Sequence, residues 1–170
     1  MINFDEYIRQ SEPQKREKGY AWQTAIGLQA VDGLKPSDYL IETARKDIEG
    51  EITIDEAEQL IRSYYQSKES HTPEDAEQHE ADTASTNIRR LLTEKTFAFT
   101  LVGLTSIHRR IFDGVFKFAG QIRDYNITKK EWVLRGDTVL YVSAPDIHKA
   151  IEYDLEQERQ FDYSKVDRNG

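Results

Sequence analysis

The sequence contains no cysteine, which excludes disulfide bonds, a cysteine nucleophile and thiolate-bound zinc. Basic residues are also scarce: 23 Lys and Arg face 31 Asp and Glu, for a net charge of -8. Because domains that bind nucleic acid usually present a basic face, we expect no nucleic-acid partner. Long apolar runs are missing as well, which predicts no membrane-spanning helix.

The first residues lack the basic and apolar segments of a secretory signal, and together these absences predict a cytoplasmic protein. The composition is typical of a globular chain, with 38% hydrophobic and 32% charged residues among 170. Glycine-rich phosphate loops and a nucleophile elbow are not found. The residues by themselves therefore indicate no catalytic residue and no metal ligand.

A polar, acidic stretch over residues 66–87 divides the chain, and we predict a linker or an exposed helix start there. Residues 1–65 before it are predicted to form a small module of three helices. Its helix boundaries are indicated by Gly33 as a left-handed C-cap, Ser37 as an N-cap, and Thr53 with Glu56 as a capping box. These signals agree with the helical spacing of the apolar residues.

Residues 88–170 form the second predicted region. It opens with a short helix around Ile88, Leu91 and Leu92, and a stronger helix follows, whose apolar residues recur over 101–115. From residue 125 the pattern changes to β-branched and aromatic residues in ITKKEWVL and DTVLYVS, separated by the turn signal Arg-Gly-Asp. This pattern predicts a β-hairpin over 125–143, followed by a helix that begins near Pro145. The predicted fold class is mainly α with one β-hairpin.

Four histidines are the remaining candidates for chemistry. His71 and His79 lie in the polar stretch and are expected to be solvated. His108 follows Ile107 on an apolar helix, where a packed or hydrogen-bonded histidine is expected rather than a general base. His148 receives no role. Lysines in the hairpin suit either protection of an edge strand or acceptance of an added strand, and both interpretations stay open.

The run SIHRRIFDGVFKFAGQIRDYNITKKEWVL resembles the N-terminal half of the Fic core. Fic proteins typically show an Ile-His pair on a helix, a Phe, an aromatic-Ala-Gly and a basic residue before a hairpin. The corresponding positions are Ile107-His108, Phe112, Phe118-Ala119-Gly120 and Arg123. The segments AIGLQAVDGLKPS and IEGEITIDEAEQLI, within residues 20–65, are similar to the antitoxin module of self-inhibited Fic proteins.

Fic proteins transfer a nucleotide monophosphate, usually AMP from ATP, to a hydroxyl of a target protein. The resemblance therefore implies ATP and Mg²⁺ as cofactors and a Fic-like helical core whose hairpin is the flap. It assigns nucleotide and target binding at the flap to Ile127, Thr128, Lys129, Lys130 and Trp132. A target protein would dock at the flap hairpin. The alternative is that Trp132 simply alternates across a half-buried hairpin.

The resemblance also places Asp32 and Gly33 at the end of an inhibitory helix. The family pattern there is Ser or Thr, three residues, Glu, then Gly or Asn. This chain has Leu28 in place of the hydroxyl residue and Asp32 in place of the glutamate, one methylene shorter. Inhibition by Asp32 and a plain role at the helix end both remain open.

The Fic motif His-x-Phe-x-(Asp/Glu)-Gly-Asn-x-Arg does not occur in the 170 residues. That motif supplies the base and the metal and phosphate ligands, which leaves open whether this chain is an enzyme. We predict the N-terminal portion of a Fic protein; the alternative is a non-catalytic, antitoxin-like regulator or protein-interaction module. Helices left without the rest of the core would expose apolar faces, and we therefore expect a homo-oligomer or a Fic C-terminal half as partner.

Overall fold

The computed structural model describes residues 4–9, 12–68, 72–94, 98–130, 138–162 and 164. The predicted mainly helical class is confirmed. The described elements are α1 (Asp5–Ile8), α2 (Pro13–Val31), α3 (Asp38–Glu49), α4 (Ile54–Gln66), α5 (Pro73–Leu91), α6 (Leu101–Ile111), β1 (Thr128–Lys130), β2 (Thr138–Leu140), a 3-10 turn (Ala144–Asp146) and α7 (Ile147–Gln160). The chain divides into a first unit, Met1–Thr96 with Arg109–Ala119, and a second unit, Phe97–His108 with Gly120–Gly170.

The predicted helix boundaries in the first unit are confirmed by their hydrogen bonds. Ser37 Oγ accepts the Leu40 N–H at 3.1 Å and begins α3. Thr53 and Glu56 exchange the two bonds of a capping box at the start of α4. Gly33 follows α2 with a φ of +79°, a left-handed conformation that glycine adopts without steric cost.

The hydrophobic core of the first unit forms where α1, α2, α3 and α4 meet. Trp22, Leu40, Ile48 and Ile61 are at most 2% exposed. The short helix α1 was not predicted from the sequence. It packs closely on α2 because Gly19 has no side chain, and an added Cβ there would lie 2.9 Å from Tyr7 Cβ.

The sequence predicts a linker or an exposed helix start over 66–87. Residues 73–91 instead form the continuous helix α5, which packs on α2 and α4. The packing is close because Ala81, Ala84 and Ser85 are small and fully buried. Polar Asp82 is tolerated beside them because Ser37 and Tyr65 satisfy its carboxylate. Its oxygens accept the Ser37 N–H at 2.9 Å and the Tyr65 hydroxyl at 2.7 Å.

A second buried carboxylate, Asp47, joins α3 to α2 and α5. It accepts the Trp22 indole N–H at 2.8 Å and lies 3.0 Å from Lys18 Nζ and 3.1 Å from Arg89 Nη2. Asp47 and Arg89 are 1% and 3% exposed. Because an unpaired buried charge is costly, this cluster ties three helices to one arrangement.

The second unit contains α7 and the antiparallel strands β1 and β2, with Thr128 opposite Leu140 and Lys130 opposite Thr138. Both strands lie within the range predicted for the hairpin. Residues 131–137, including Trp132, lie outside the described residues. Among the described residues of the second unit, Leu155 is the buried hydrophobic one. No helix in the described part of the chain is long and apolar enough to cross a membrane.

Candidate functional site

The residues predicted to be functional fall in different units of the chain. Asp32 and Gly33 lie at the end of α2 in the first unit, and Ile127, Thr128, Lys129 and Lys130 lie at or before β1 in the second.

Backbone hydrogen bonds hold the end of α2 in a fixed shape. We call Leu28, Val31, Asp32 and Gly33 together the α2 end. The Gly33 N–H donates to Ala30 O, and the Leu34 N–H donates to Gln29 O, both at 3.1 Å. This pair of bonds is the Schellman motif, which needs the left-handed residue that Gly33 provides.

Apolar side chains at the α2 end face solvent. Leu28 is 50% exposed and Val31 is 83% exposed, although Trp22 and Ile26 on the same helix are buried. Asp32, also exposed, places a carboxylate next to them. The α2 end therefore places two aliphatic side chains and one carboxylate at the surface of the first unit.

The carboxylate of Asp32 acts on Glu80 of α5. Burial, followed by the negative charges of Asp32 and Glu77, raises the pKa of Glu80 above its ordinary value. Like charges raise a carboxyl pKa because each disfavours ionisation of the other.

In the second unit, polar contacts hold the base of the β1–β2 pair. Arg123 Nη1 donates to Tyr125 O at 2.5 Å, and its Nη2 donates to Val142 O on the other side of the pair. Asn126 Oδ1 accepts the Ala144 N–H at 2.7 Å. We call Arg123 and Asn126, with these contacts, the base clamp. It fixes where each strand enters the pair.

The base clamp leaves part of the predicted flap open to solvent. Ile127 is 36% exposed, and Thr128 is also exposed. The sheet has two strands in the described residues, and each strand therefore keeps one edge unpaired there. An unpaired edge can hydrogen-bond an extended peptide. Trp132 cannot be placed with these residues, since it lies outside the described ranges.

The resemblance implies ATP and Mg²⁺ as cofactors. The described residues contain no group of three or more His, Asp or Glu side chains arranged to hold a metal ion. Magnesium bound with nucleotide phosphates uses as few as one or two carboxylates, and the two cofactors therefore stay what the resemblance implies. No reaction step through ATP or Mg²⁺ is therefore assigned to residues of this chain.

The expectation that His79 is solvated was wrong. Its ring is half-buried on α5, with its centroid 4.5 Å from that of Tyr65, because α5 packs against α4. The available signal was helical spacing: His79, Asp82, Thr83 and Thr86 recur every three or four residues. His71 lies outside the described residues. The expectation for His108 is confirmed, since its Nδ1 accepts the Gly120 N–H at 2.8 Å.

Neither Asp47 nor Asp82 was singled out from the sequence, because acidic residues on helices are usually solvated. Both instead organise the first unit, through Trp22 and Arg89 in one case and Ser37 and Tyr65 in the other. Comparison with family models, with curated proteins and with solved structures found no match for this chain.

Proposed function

We propose that this chain is the N-terminal portion of a Fic-type protein that transfers AMP from ATP to a hydroxyl of a target protein. Its own residues would supply regulation and target docking, and the catalytic motif would come from elsewhere. The motif matches over residues 20–65 and 107–145 support this proposal. The observation that carries it is the α2 end, which corresponds in position to the inhibitory helix end of self-inhibited Fic proteins.

The chemistry of the α2 end suits that role. The inhibitory glutamate of the family pairs with an arginine of the catalytic motif. Asp32 is exposed, and a guanidinium could pair with its carboxylate. Burial, followed by the charge of Asp32, raises the pKa of Glu80, which shows that Asp32 acts on a second carboxyl nearby. The same contact would cover the exposed side chains of Leu28 and Val31. Apolar burial and charge pairing would thus act together at one surface.

The β1–β2 pair suits target docking. The base clamp holds the strands in register, while Ile127 and Thr128 remain accessible. An extended target segment could add to an unpaired strand edge through main-chain hydrogen bonds, with exposed side chains selecting among sequences. Docking of this kind would position a target hydroxyl without any catalytic group from this chain.

The first experiment is to sequence the DNA beyond the Gly170 codon in all three frames. An in-frame Fic motif supports the proposal, and a motif in a shifted frame indicates a broken Fic gene. The purified 170-residue chain should transfer no label from ATP labelled at the α-phosphate. Label on this chain with no other protein present would contradict the assignment of catalysis to another segment.

If the motif follows in frame, the longer protein tests the α2 end. We expect Asp32→Ala to raise AMP transfer, because a restraining charge is removed. The matched control is Asp38→Ala, which removes an exposed aspartate at the start of α3 in the same unit. Equal transfer by wild type, Asp32→Ala and Asp38→Ala would show that Asp32 is a plain helix-end residue.

A non-catalytic regulator is the second candidate, favoured by the self-contained core of the first unit. The clustered core residues and both buried carboxylate clusters lie in that unit. A regulator would bind a separate partner through the α2 end or the strand edge. No Fic motif in any frame, together with partner binding that Asp32→Lys abolishes, would favour this candidate over the first.

A further inference from the structure

The first unit contains a cavity of about 480 Å³ between α4 and α5, closed on one side by the turn at residues 113–114. Small-molecule sites commonly have volumes of roughly 300–1,000 Å³. We call it the α4–α5 cavity. The lining residues that matter here are Ile61 and Tyr65 from α4, with His79, Thr83 and Asn87 from α5. Neither the α2 end nor the β1–β2 pair contributes to it.

Charged residues also line the cavity, but they are already paired. Glu58 lies 3.0 Å from Arg62 and 2.6 Å from Arg90, and Lys68 lies 2.5 Å from Asp75. A charged ligand would have to compete with these pairs for their partners, and would lose hydration as it did so. The charge arrangement therefore favours a neutral ligand.

The aromatic part of the wall is held in place before any ligand binds. The Tyr65 hydroxyl donates to buried Asp82 at 2.7 Å, and the His79 ring packs against the Tyr65 ring. Asp82 is in turn bonded to the start of α3 through Ser37. A rigid aromatic wall lowers the entropic cost of binding a flat molecule.

Hydrogen-bonding capacity remains at His79 and Asn87. Burial lowers the pKa of His79, which keeps the imidazole neutral near pH 7, with one donor and one acceptor nitrogen. In the described ranges, neither nitrogen has a hydrogen-bond partner. Asn87 Nδ2 donates to Ile111 O at 2.9 Å and Asp113 O at 3.3 Å, which leaves its Oδ1 as an acceptor.

We propose that the α4–α5 cavity is a binding site for an uncharged, planar aromatic molecule that carries a hydrogen-bond donor and acceptor on its edge. The ring packs against Ile61 and the Tyr65–His79 wall, and the polar edge pairs with the His79 imidazole and Asn87 Oδ1. This inference does not depend on the proposed function, since it concerns different residues and a different ligand class.

The test uses three probes of nearly the same shape and different charge: benzamide, benzoate and benzamidinium. Each is titrated into the 170-residue chain while backbone amide shifts are followed by NMR. We expect benzamide to shift amides of residues 58–66 and 76–87 and to bind about tenfold or more tightly than either ion, a difference of about 1.4 kcal/mol. Equal binding of all three probes, or none by benzamide, overturns the proposal.

Variants of His79 separate this site from non-specific binding. His79→Leu should weaken benzamide about tenfold or more, because it keeps the bulk and removes both polar atoms. His79→Gln keeps a donor and an acceptor and should retain most of the affinity. Thr83→Phe should abolish binding by filling the cavity, provided that the indole signal of Trp22 shows an intact core. Benzamide binding that none of these variants changes would place the probe elsewhere and refute the site.

Discussion

The two units of the chain are stabilised in different ways. The first unit buries Trp22, Leu40 and Ile48 around paired carboxylates, whereas the described part of the second unit buries little besides Leu155. In the second unit the base clamp makes polar contacts instead, and Val102 and Tyr153 remain 77% and 66% exposed. The first unit therefore has the core of an independent domain, whereas the described part of the second unit leaves large apolar side chains exposed.

The largest expected effect comes from breaking the core of the first unit at Asp47. Asp47→Ala leaves Arg89 buried without its partner, and loss of one member of a buried pair costs about 3–5 kcal/mol. Urea unfolding followed by Trp22 fluorescence, in a Trp132→Phe background, measures this change. Glu42→Ala, which removes an exposed ion pair with Lys46, should cost less than about 1 kcal/mol. Equal losses of unfolding free energy in the two variants would mean that the buried Asp47 cluster stabilises the fold no more than an exposed ion pair does.

The second prediction concerns the base clamp. Arg123→Ala should speed amide hydrogen exchange in β1 and β2 by roughly 10- to 100-fold, because two charge-assisted bonds to backbone carbonyls are lost. Arg123→Lys should give an intermediate rate, since an ammonium lacks the planar fork. Lys149→Ala, an exposed change on α7, is the control. Unchanged exchange in Arg123→Ala would show that strand pairing alone holds the hairpin.

Two glycines of α2 should respond with opposite sign to the same substitution. Gly19→Ala puts a Cβ 2.9 Å from Tyr7 Cβ and should destabilise the first unit by about 1–3 kcal/mol. At exposed Gly27 an added Cβ has no neighbour within 4 Å, and Gly27→Ala should stabilise by up to about 1 kcal/mol through helix propensity. Thermal unfolding of both variants measures the difference. The same sign for both would refute close packing of α1 on α2.

Local signals predicted more of this structure than tertiary ones. Ser37, the Thr53–Glu56 capping box and Gly33 mark helix ends through contacts within a few residues, and such contacts can be read directly from a sequence. The polar residues of 66–87 predict a linker or an exposed helix start, because polar side chains usually face solvent. Asp82 is buried there through partners 17 and 45 residues away. A distant partner leaves no mark in the adjacent sequence.

The same reasoning applies to the candidate sites. A helix-end pattern in the sequence indicates the α2 end. The interaction between the carboxyls of Asp32 and Glu80 depends on how α5 packs, and no local pattern predicts it. The half-buried position of His79 was missed for the same reason. Small residues at helical spacing, Ala81, Ala84 and Ser85, are a second local sign that residues 66–87 include a packed helix.

Exposed apolar surface in the second unit leads to a prediction about association. Val102→Asp should weaken self-association of the chain by about tenfold, since a charge in an apolar contact must be dehydrated. The matched control is Val31→Asp at the α2 end, where the side chain is 83% exposed. Sedimentation over a concentration series measures both. If Val31→Asp weakens association and Val102→Asp does not, the contact lies on the first unit. The first unit, and not the second, would then supply the apolar surface used in association.

The smallest expected effect is a change in unfolding free energy at the α2 end. This part of the first unit exposes apolar side chains, as the second unit does. The pKa of Glu80 is raised in the folded chain, whereas in the unfolded chain it has the ordinary Glu value of about 4.3. Between these two pKa values the folded state binds more protons than the unfolded state. The free energy of unfolding therefore falls as the pH rises through that range towards the raised pKa, and the loss persists at pH 7. Glu80→Gln should remove this loss and slightly stabilise the chain at neutral pH, by less than about 1 kcal/mol because solvent screens a partly exposed group.

Asp32 is predicted to cause part of this effect, which makes the two substitutions interdependent. Asp32→Asn alone should recover a fraction of the gain, and the double variant Asp32→Asn with Glu80→Gln should gain less than the sum of the two. Unfolding free energies between pH 4 and 7 measure the coupling, with exposed Glu17→Gln on α2 as the control. Strict additivity would mean that Asp32 does not contribute to the raised pKa of Glu80, which burial and Glu77 would then explain. A non-additive result would show that the α2 end carries unrelieved negative charge, the property that a basic partner surface would use.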